Sequence, residues 1–354
     1  MKKAFVKIVF LFNILAIIAL VISYLSIYIS PDVFWIPAFL GLAYPFIFFA
    51  NVLFVVLWLI LKPRNLLWSL FFILIGWNFI GQYIQLKPKT AENTDIKVLS
   101  YNVGHFYGDG TQKVEDNAMA IVSFLEEENP DIICLQETRL RKKNIFDLAE
   151  TVKKIGSIKH YQYARSSNTY GMVTMTRYPI VNMQEVRFEN SRNMCIYTDV
   201  LIDSDTVRIL NVHLQSYQIN PNDYAIIESP GITQEKDIKE VKEMGAKFKT
   251  AFQERAHQVR EIRKYIDESP YHVILCGDFN DTPASFAYNY LKHGLTDAFV
   301  ESGKGIGRTY VGKLPSFRID YILHSEGFQS YNFETVDFVH SDHLPVTCDL
   351  IKKN

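Results

Sequence analysis

The sequence predicts a mixed α/β (α+β) domain that follows three transmembrane helices. Three long segments without a charged residue open the chain, at residues 8–30, 33–61 and 66–86. From about Thr90 the apolar runs shorten, and charged and turn residues appear between them. These short runs are typical of buried strands and alternate with segments of helical periodicity. The pattern favours mixed β-sheets packed face to face, with helices on the outside.

The charge-free segments are long enough to cross a membrane. Spanning the hydrocarbon core takes about 20 apolar residues, and each segment reaches that length. A secretory signal has one shorter apolar core, so three segments in succession argue against it, and three buried helices of a soluble bundle fit the length rule poorly. We therefore place helices at about residues 8–30, 36–61 and 66–86, which gives a membrane region at 1–89 and a folded domain at 90–354.

The basic residues predict the orientation of the chain in the membrane. Three lysines lie within the first seven residues, and Lys62 and Arg64 lie between the second and third segments, whereas Asp32 is the charged residue of the other hinge. Positively charged loops stay in the cytoplasm. The sequence thus predicts a multi-pass protein of the cytoplasmic (inner) membrane, in contact with the lipid bilayer, whose folded domain is extracytoplasmic.

The charge of the folded domain disfavours nucleic acid as a partner. The first 89 residues hold seven Lys or Arg and one Asp, which leaves 30 basic and 37 acidic residues, a net charge of −7, in residues 90–354. Proteins that bind duplex DNA usually present a basic face, because neutralised phosphates release counterions. An acidic average lowers the expectation of a nuclease without excluding a local basic patch.

The four cysteines are predicted to be buried free thiols. Each lies in an apolar, strand-like run, and none has the C-x-x-C spacing of a metal site. They are Cys134, Cys195, Cys276 and Cys348.

Three further segments carry specific expectations. Residues 235–266 are strongly charged and predict one long helix or two. The loop before them, at 218–233, is a candidate wall or lid, since long loops in compact domains are often functional. Asp281, followed by Thr282 and Pro283, predicts a helix cap.

Polar side chains follow the apolar runs at the point where each strand is predicted to end. The run 273–276 leads into Asp278 and Asn280, and the run 132–135 leads into Glu137. Asn102 and His213 end two more runs. Such groups are placed to converge on one rim of a sheet. Oxygen ligands together with histidines suit a magnesium-assisted attack on phosphate.

Taken together, these segments resemble the endonuclease/exonuclease/phosphatase superfamily over about residues 95–353. Six motifs occur in the family's order, and that order makes chance agreement very unlikely. They are Ser100-Tyr101-Asn102-Val103, Leu135-Gln136-Glu137-Thr138, Asn211-Val212-His213-Leu214-Gln215-Ser216, Gly277-Asp278-Phe279-Asn280, Arg318-Ile319-Asp320-Tyr321 and Ser341-Asp342-His343-Leu344-Pro345. The resemblance implies a deoxyribonuclease-I-like four-layer sandwich, with residues 90–354 as a catalytic domain.

The resemblance also implies a metal site. Glu137 would be the first ligand of Mg²⁺, with Mn²⁺ as the alternative metal. Asn102 would orient water or a phosphate oxygen beside it, and Asp342 would add a second ligand, directly or through water. Magnesium takes only one or two carboxylates and keeps several waters.

The remaining motif residues are implied to act on protons and on the phosphate. His343, oriented by Asp320, would be a base or a phosphate contact. Asp278 would hold or activate the attacking water, or protonate the leaving group. Which of these two proton-transfer candidates is acid and which is base stays open. Asn280 and His213 would bind the substrate and donate hydrogen bonds to phosphoryl oxygens as charge develops there. For Arg318, a substrate-binding and a structural role are equally weighted.

The sequence therefore predicts a membrane-anchored, divalent-metal-dependent phosphodiesterase or phosphatase that uses metal-activated water, acting on a phospholipid head group or another small phosphoester. The segment His213-Leu214-Gln215 is similar to the equivalent segment of bacterial sphingomyelinases, whereas the abasic-site endonuclease branch carries a tyrosine there. A membrane-anchored endo- or exonuclease acting on DNA or RNA is the alternative. A non-catalytic scaffold is a third, less favoured one.

Overall fold

The computed structural model separates the chain into two compact units. It describes residues 2–108, 110–140, 145–167, 169–189, 191–219, 235–313, 315 and 317–353. The helical unit comprises Met1–Tyr83, Ser216–His257 and Asp281–Tyr290, and the sheet unit comprises Ile84–Gln215, Gln258–Asn280 and Leu291–Asn354. The division of the chain into domains 1–89 and 90–354 stays a prediction.

The helices and strands are as follows. The helices are α1 Lys2–Leu25, α2 Ile36–Leu42, α3 Tyr44–Leu61, α4 Leu66–Ile75, α5 Trp77–Tyr83, α6 Val114–Glu128, α7 Leu148–Lys154, α8 Glu235–Asp267, α9 Phe286–Lys292 and α10 Ala298–Ser302, with 3₁₀ turns at Pro63–Asn65 and Gly104–Phe106. The strands are β1 Ile96–Asn102, β2 Ile132–Arg139, β3 His160–Arg165, β4 Tyr170–Thr176, β5 Ile180–Arg187, β6 Met194–Ile202, β7 Asp205–His213, β8 His272–Asp278, β9 Thr296–Asp297, β10 Asp320–His324, β11 Phe328–Thr335 and β12 Val346–Lys352.

Within the described residues, α1 and α3 are each long and apolar enough to cross a membrane. A third span exists if the bent pair Pro63–Ile75 and Trp77–Tyr83, which meet at 61°, is taken as one. The prediction of one helix over 36–61 was wrong, because the helix is interrupted at Ala43, between α2 and α3. Pro45 explains the break, since its ring lacks an N–H and clashes with the carbonyl four residues earlier.

Polar side chains join the apolar helices inside the helical unit. Trp58 Nε1 of α3 donates to Asn13 Oδ1 of α1 at 2.8 Å, and Asn13 Nδ2 donates to Ser69 Oγ of α4 at 2.6 Å. All three side chains are buried. Hydrogen bonds of this kind hold helices together where lipid offers no polar partner.

Two mixed sheets form the sheet unit, as the sequence predicted. Among the described residues, the first runs β11-β12-β1-β2-β4-β3 and the second runs β5-β6-β7-β8-β10-β9. Pairs β1–β2 and β7–β8 are parallel, and the other pairs are antiparallel. Val98 and Cys134 of the first sheet share one buried core with Ile209 and Cys276 of the second. The sheets therefore pack face to face.

Helices cover the outer faces of this sandwich. Ile121 and Leu125 of α6 pack with Leu99 of β1, whose neighbour Val98 faces the other sheet. On the second sheet, Tyr265 near the end of α8 stacks beside Tyr197 at 5.5 Å. The four-layer prediction is confirmed, and all four cysteines are buried free thiols as expected.

Residues 235–266 form one helix, α8, which is one of the two predicted arrangements. Most of the candidate lid, 220–233, lies outside the described residues. The helix cap predicted at Asp281 was wrong, because α9 begins only at Phe286. The Asp281 carboxylate instead accepts a hydrogen bond from Arg255 Nε at 3.0 Å.

Candidate active site

The register of the second sheet places three of the predicted side chains next to one another. Asp278, the last residue of β8, lies opposite His213 at the end of β7 and opposite Asp320 at the start of β10. Asn102 ends β1 in the first sheet. All four strands present these ends within the sheet unit, so the residues meet at one rim.

Asp278 connects the two sheets at this rim. Its Oδ2 accepts hydrogen bonds from Asn102 Nδ2 at 2.9 Å and from Asn280 Nδ2 at 3.1 Å. Its Oδ1 accepts one from the backbone N–H of Asn280 at 2.8 Å. Asn280 has a left-handed backbone, with φ +52°, which turns its side chain back to Asp278. The carboxylate is thus held by donors on both oxygens.

Glu137 reaches the site through an irregularity in β2. The register between β2 and β4 shifts between Leu135 and Thr138, and Glu137 has φ +55°. Bulges of this kind re-aim a side chain next to active sites. Glu137 Oε1 lies 3.5 Å from both Asn102 Nδ2 and His213 Nε2.

His105 is a site residue that the sequence reasoning missed. Its Nε2 lies 3.0 Å from Glu137 Oε2, and its Nδ1 lies 3.1 Å from the Glu137 backbone oxygen. The ring stacks on Tyr170, with centroids 4.0 Å apart. The left-handed backbone of His105, φ +56°, directs the ring to Glu137. An available signal was the position of this imidazole, three residues beyond Asn102.

His343 and Asp320 form a buried dyad. His343 Nδ1 lies 2.9 Å from Asp320 Oδ2, and His343 Nε2 faces Asp278 Oδ2 at 3.7 Å. The Tyr310 ring meets the imidazole edge-on at 5.4 Å between centroids. This arrangement fits the expectation that Asp320 orients His343.

Burial and charge set the protonation of these groups. Burial raises the pKa of Asp278 to about 6, with Asp320 adding to the rise and His343 and His213 opposing it. Burial disfavours the charged form of His343, but Asp320 and Asp278 outweigh it and raise the pKa of His343 well above its usual range. Glu137 is also disfavoured as an anion by burial, yet its hydrogen bond with His105 and the charges of the neighbouring histidines lower its pKa to about 2. A cationic His343 therefore sits among carboxylates.

Two predicted residues are placed differently from the cluster. Asp342 is exposed, with Oδ1 3.3 Å from Ser341 Oγ, and it lies beside the turn at Gly104. Arg318 is 2% exposed, and its Nη1 donates to Asp297 Oδ2 at 2.7 Å. This enclosure favours the structural role of Arg318 over the substrate-binding one, and the choice between them stays a prediction.

Gln136 and Asn211, two other motif residues, join the sheets beneath the site. Gln136 Nε2 donates to Asn211 Oδ1 at 2.8 Å, and Asn211 Nδ2 donates to the backbone oxygen of Val173 at 2.9 Å. All three are fully buried. An unpaired buried amide costs about 1–3 kcal/mol. These hydrogen bonds therefore favour one packing of the first sheet against the second.

The donor set fits a divalent cation of the magnesium type. Glu137 supplies an ionised carboxylate, and Asn102 an amide beside it. His213 Nε2 is buried without a hydrogen-bond partner among the described residues, as is Asp320 Oδ1. Asp278, Asp320 and His343 bring one potential ligand atom each within 4.8 Å of one another. Because His343 Nδ1 is already bound to Asp320, this second group suits proton transfer better than metal binding.

Two face-to-face mixed sheets, with carboxylates, amides and histidines gathered at one rim, define a deoxyribonuclease-I-like fold of the phosphoesterase class. The chain belongs to the endonuclease/exonuclease/phosphatase family, whose model matches residues 99–343. Members of this family are hydrolases that act on phosphoesters. A second model, described as a domain of unknown function (DUF8431), matches residues 6–83.

Solved structures of low sequence identity share the fold. An endonuclease/exonuclease/phosphatase from Beutenbergia cavernae DSM 12333 is 18% identical, with a TM-score of 0.52 over 74% of this chain and 72% of its own. The human Nocturnin catalytic domain with bound sulfate anion is 16% identical, with a TM-score of 0.52 over 77% and 97%. A mannosyl-6-phosphatase from Bacteroides thetaiotaomicron VPI-5482 is 15% identical, with a TM-score of 0.53 over 72% and 99%. No curated protein matches the chain.

Proposed function

We propose that the protein is a membrane-anchored, divalent-metal-dependent phosphoester hydrolase that acts on a phospholipid head group or another small phosphoester. One observation carries this proposal: the contacts that link Glu137, Asn102, Asp278 and His343 at a single rim. Such a set combines an ionised oxygen ligand with a buried acid–base pair, which is what hydrolysis of a phosphoester requires.

Mg²⁺, held by Glu137 with Asn102 beside it and with Asp342 as the predicted second ligand, would supply positive charge that offsets the charge of the phosphate. Asp278, with a pKa of about 6, is largely ionised at neutral pH and takes the proton of the attacking water. His343, kept cationic by Asp320, gives its Nε2 proton to the leaving oxygen as the ester P–O bond breaks.

Two neighbouring side chains complete the site. His213 Nε2, buried without a hydrogen-bond partner among the described residues, is free to bind a phosphoryl oxygen. Asn280 holds Asp278 from both its backbone and its side chain, and its other amide hydrogen is donated to the Leu214 backbone oxygen at 3.0 Å, so its role in the site is to fix the base. Preorganised donors of this type stabilise the charge that develops on the phosphate in the transition state.

The choice of substrate rests on the rest of the chain. The apolar helices α1 and α3 would keep the enzyme at a lipid surface. The net charge of −7 over residues 90–354 repels a polyanion such as DNA. We therefore place the enzyme in the cytoplasmic membrane, acting at its outer face.

The test is an assay of the full-length protein in detergent with Mg²⁺, Mn²⁺ or chelator. Substrates are bis-p-nitrophenyl phosphate, phospholipid vesicles, supercoiled DNA and RNA. We expect metal-dependent release from lipid or small esters, reduced by about 100-fold or more in Glu137→Gln and Asp278→Asn. Glu150→Gln, which changes an exposed glutamate of α7, is the matched control. Cleavage of nucleic acid alone would establish the nuclease instead.

A further inference from the structure

We propose that the membrane region contains positioning residues for the reaction: Ser26, Gly41 and Tyr83 hold the segment that follows Asn280. The inference rests on the proposed function of the site and adds a means of control to it. The contacts involved all lie within the helical unit, which comprises Met1–Tyr83, Ser216–His257 and Asp281–Tyr290.

Ala284 is held by side chains from two places in the membrane region. Ser26 Oγ lies 2.6 Å from two acceptors, the backbone oxygens of Ala284 and Ser23, and its single hydrogen is donated to one of them at a time. The Ala284 backbone N–H donates to Tyr83 Oη at 3.2 Å. Ala284 and Ser26 are fully buried. Buried backbone groups must be paired, so both polar atoms of this peptide position depend on residues more than 200 positions earlier.

Gly41 of α2 also packs directly against Ala284. A Cβ at this position would lie 2.3 Å from the Ala284 oxygen and 2.5 Å from Ser26 Oγ. The backbone of Gly41 is helical, so the glycine is required for close approach rather than for an unusual conformation. Residues from three separate parts of the membrane region, Ser26, Gly41 and Tyr83, thus meet at Ala284.

A buried ion pair holds the same segment three residues earlier. Arg255 Nε of α8 donates to Asp281 Oδ2 at 3.0 Å, and the Tyr217 ring lies 4.5 Å from the Arg255 guanidinium carbon. Both charged side chains are almost fully enclosed, at 0% and 5% exposed. Removing one partner of such a pair leaves an uncompensated buried charge, which is strongly unfavourable. Asp281 is therefore fixed in place.

The chain itself transmits this constraint to the site. Asp281 follows Asn280, whose backbone N–H and side chain both bind Asp278. Asn280 has φ +52°, a left-handed conformation that asparagine adopts more readily than most residues. The β8 pairing fixes the chain before Asn280, and the contacts of Asp281 and Ala284 fix it afterwards. A shift of Ala284 would loosen the hold on the proposed base.

These contacts distinguish a positioning role from simple attachment. An anchor needs only apolar length, whereas here the membrane region matches the shape and hydrogen bonding of one loop. The family model covers residues 99–343, and the residues that grip the loop belong to the separately matched segment 6–83. The residues that hold Ala284 therefore lie outside the segment that matches the catalytic family.

The experiment compares Gly41→Ala with Gly81→Ala in the full-length protein in nanodiscs. A Cβ at Gly81 meets nothing within 4 Å, so this helical glycine is the matched control. The substrate is bis-p-nitrophenyl phosphate, which is soluble and needs no membrane. We expect kcat to fall about tenfold or more in Gly41→Ala, because small misplacements of catalytic groups are costly, with KM little changed. Gly81→Ala should match the wild type.

A second pair of variants, with smaller changes, tests the inference if Gly41→Ala does not fold. Ser26→Ala removes the hydroxyl that contacts both the Ala284 oxygen and the Ser23 oxygen, whereas Ser23→Ala removes only a hydroxyl bonded to the Leu20 oxygen within α1. Both serines are fully buried. We expect kcat to fall in Ser26→Ala alone, together with faster hydrogen exchange of the amides of residues 279–290.

Failure of the positioning role and failure of the hydrolase would look different in these measurements. Wild-type kcat and wild-type exchange in both Gly41→Ala and Ser26→Ala would overturn the positioning role while leaving the hydrolase intact. A wild-type protein that hydrolyses no phosphoester with any divalent metal would overturn the proposed function, and the positioning role with it. Lower kcat without faster exchange would also contradict the inference, because the loop would not have moved.

Discussion

His105 shows how a single side chain prepares the proposed metal ligand. It approaches Glu137 through both ring nitrogens, at 3.0 Å to the carboxylate and 3.1 Å to the backbone oxygen. A neighbour that fixes the direction and charge of a ligand contributes to metal affinity even though it does not bind the metal. We therefore expect His105 to support metal binding by Glu137.

The His105→Ala variant tests this relation. We expect the Mg²⁺ concentration for half-maximal activity to rise about 10–100-fold, because the carboxylate loses its orientation and its charge partner. The measurement is a magnesium titration of ester hydrolysis. His160→Ala, which changes a half-exposed histidine at the start of β3, is the control. An unchanged magnesium requirement would remove His105 from the site.

At this scale the sequence predicted residue types and order better than conformations. Asn102 and Asp278 lie at strand ends, where the apolar runs placed them. Glu137 needed more, since its direction depends on a register shift between β2 and β4 that no local pattern encodes. His105 was missed for a related reason: its reach to Glu137 depends on a left-handed backbone, which histidine adopts more often than most residues but which no local pattern placed at this position.

Arg318 connects two elements of secondary structure, α10 and β10. Its guanidinium pairs with Asp297, which also caps α10 by accepting from the N–H of Phe299. Both charged side chains are at most 1% exposed. The pair stabilises the connection between a helix start and the strand that carries Asp320.

The Arg318→Met variant separates stability from substrate binding. We expect unfolding to become easier by about 3–5 kcal/mol, because Asp297 is left as an unpaired buried charge. The KM for the ester should stay close to the wild-type value. Chemical unfolding and steady-state kinetics of the full-length protein measure the two effects. A raised KM at unchanged stability would restore the substrate-binding role.

Glu301 of α10 ties this helix to β11 and makes stability depend on pH. Burial disfavours its ionised form, but hydrogen bonds from the hydroxyl and N–H of Ser330 and from Lys89 lower its pKa to about 2. The unfolded value is about 4.3. Because the folded pKa is the lower one, the stabilisation is fully present above the unfolded value and is lost as pH falls through the folded value.

We therefore expect the wild type to lose more stability than Glu301→Gln on going from about pH 5 to about pH 3. The denaturant midpoint of the full-length protein at the two pH values measures this difference. Glu150→Gln, at an exposed position, should behave as the wild type does. Equal acid sensitivity of the wild type and Glu301→Gln would mean that the Ser330 contacts do not hold the carboxylate ionised.

Elements were predictable from sequence wherever one face is buried. Strands β1, β7 and β8 are almost fully enclosed and appear as apolar runs, whereas β5 is exposed at most positions and carries no clear alternation. The helix break at Ala43 follows from Pro45, a signal that the charge-free length of the segment concealed.

At the scale of the whole molecule, the sequence indicated an apolar N-terminal region but not its contacts. Composition changes near Thr90, so the apolar and folded parts separate readily in the sequence. Nothing local shows that Asp281–Tyr290 and Ser216–His257 pack with Met1–Tyr83, because such packing depends on contacts more than 200 residues apart. Contacts of this kind, such as Ser26 with Ala284, are fixed by tertiary structure alone.

The number of membrane crossings decides where the catalytic site works. With α1 and α3 alone the chain crosses twice and residues 84–353 return to the side of the N-terminus, whereas a third crossing by the bent pair puts them on the opposite side. The basic residues of the second hinge and of the N-terminus predict a cytoplasmic N-terminus. We expect three crossings, and hence a site outside the cytoplasm.

Cysteine labelling tests this topology, because the four native cysteines are fully buried and give little background. In right-side-out membrane vesicles, an impermeant maleimide should label Val33→Cys, which is 84% exposed in the first hinge, and Met119→Cys, which is 60% exposed on α6. Asn65→Cys in the second hinge should react only after detergent is added. Labelling of Val33→Cys with protection of Met119→Cys would instead establish two crossings and a cytoplasmic site, and would move the substrate to the inner leaflet.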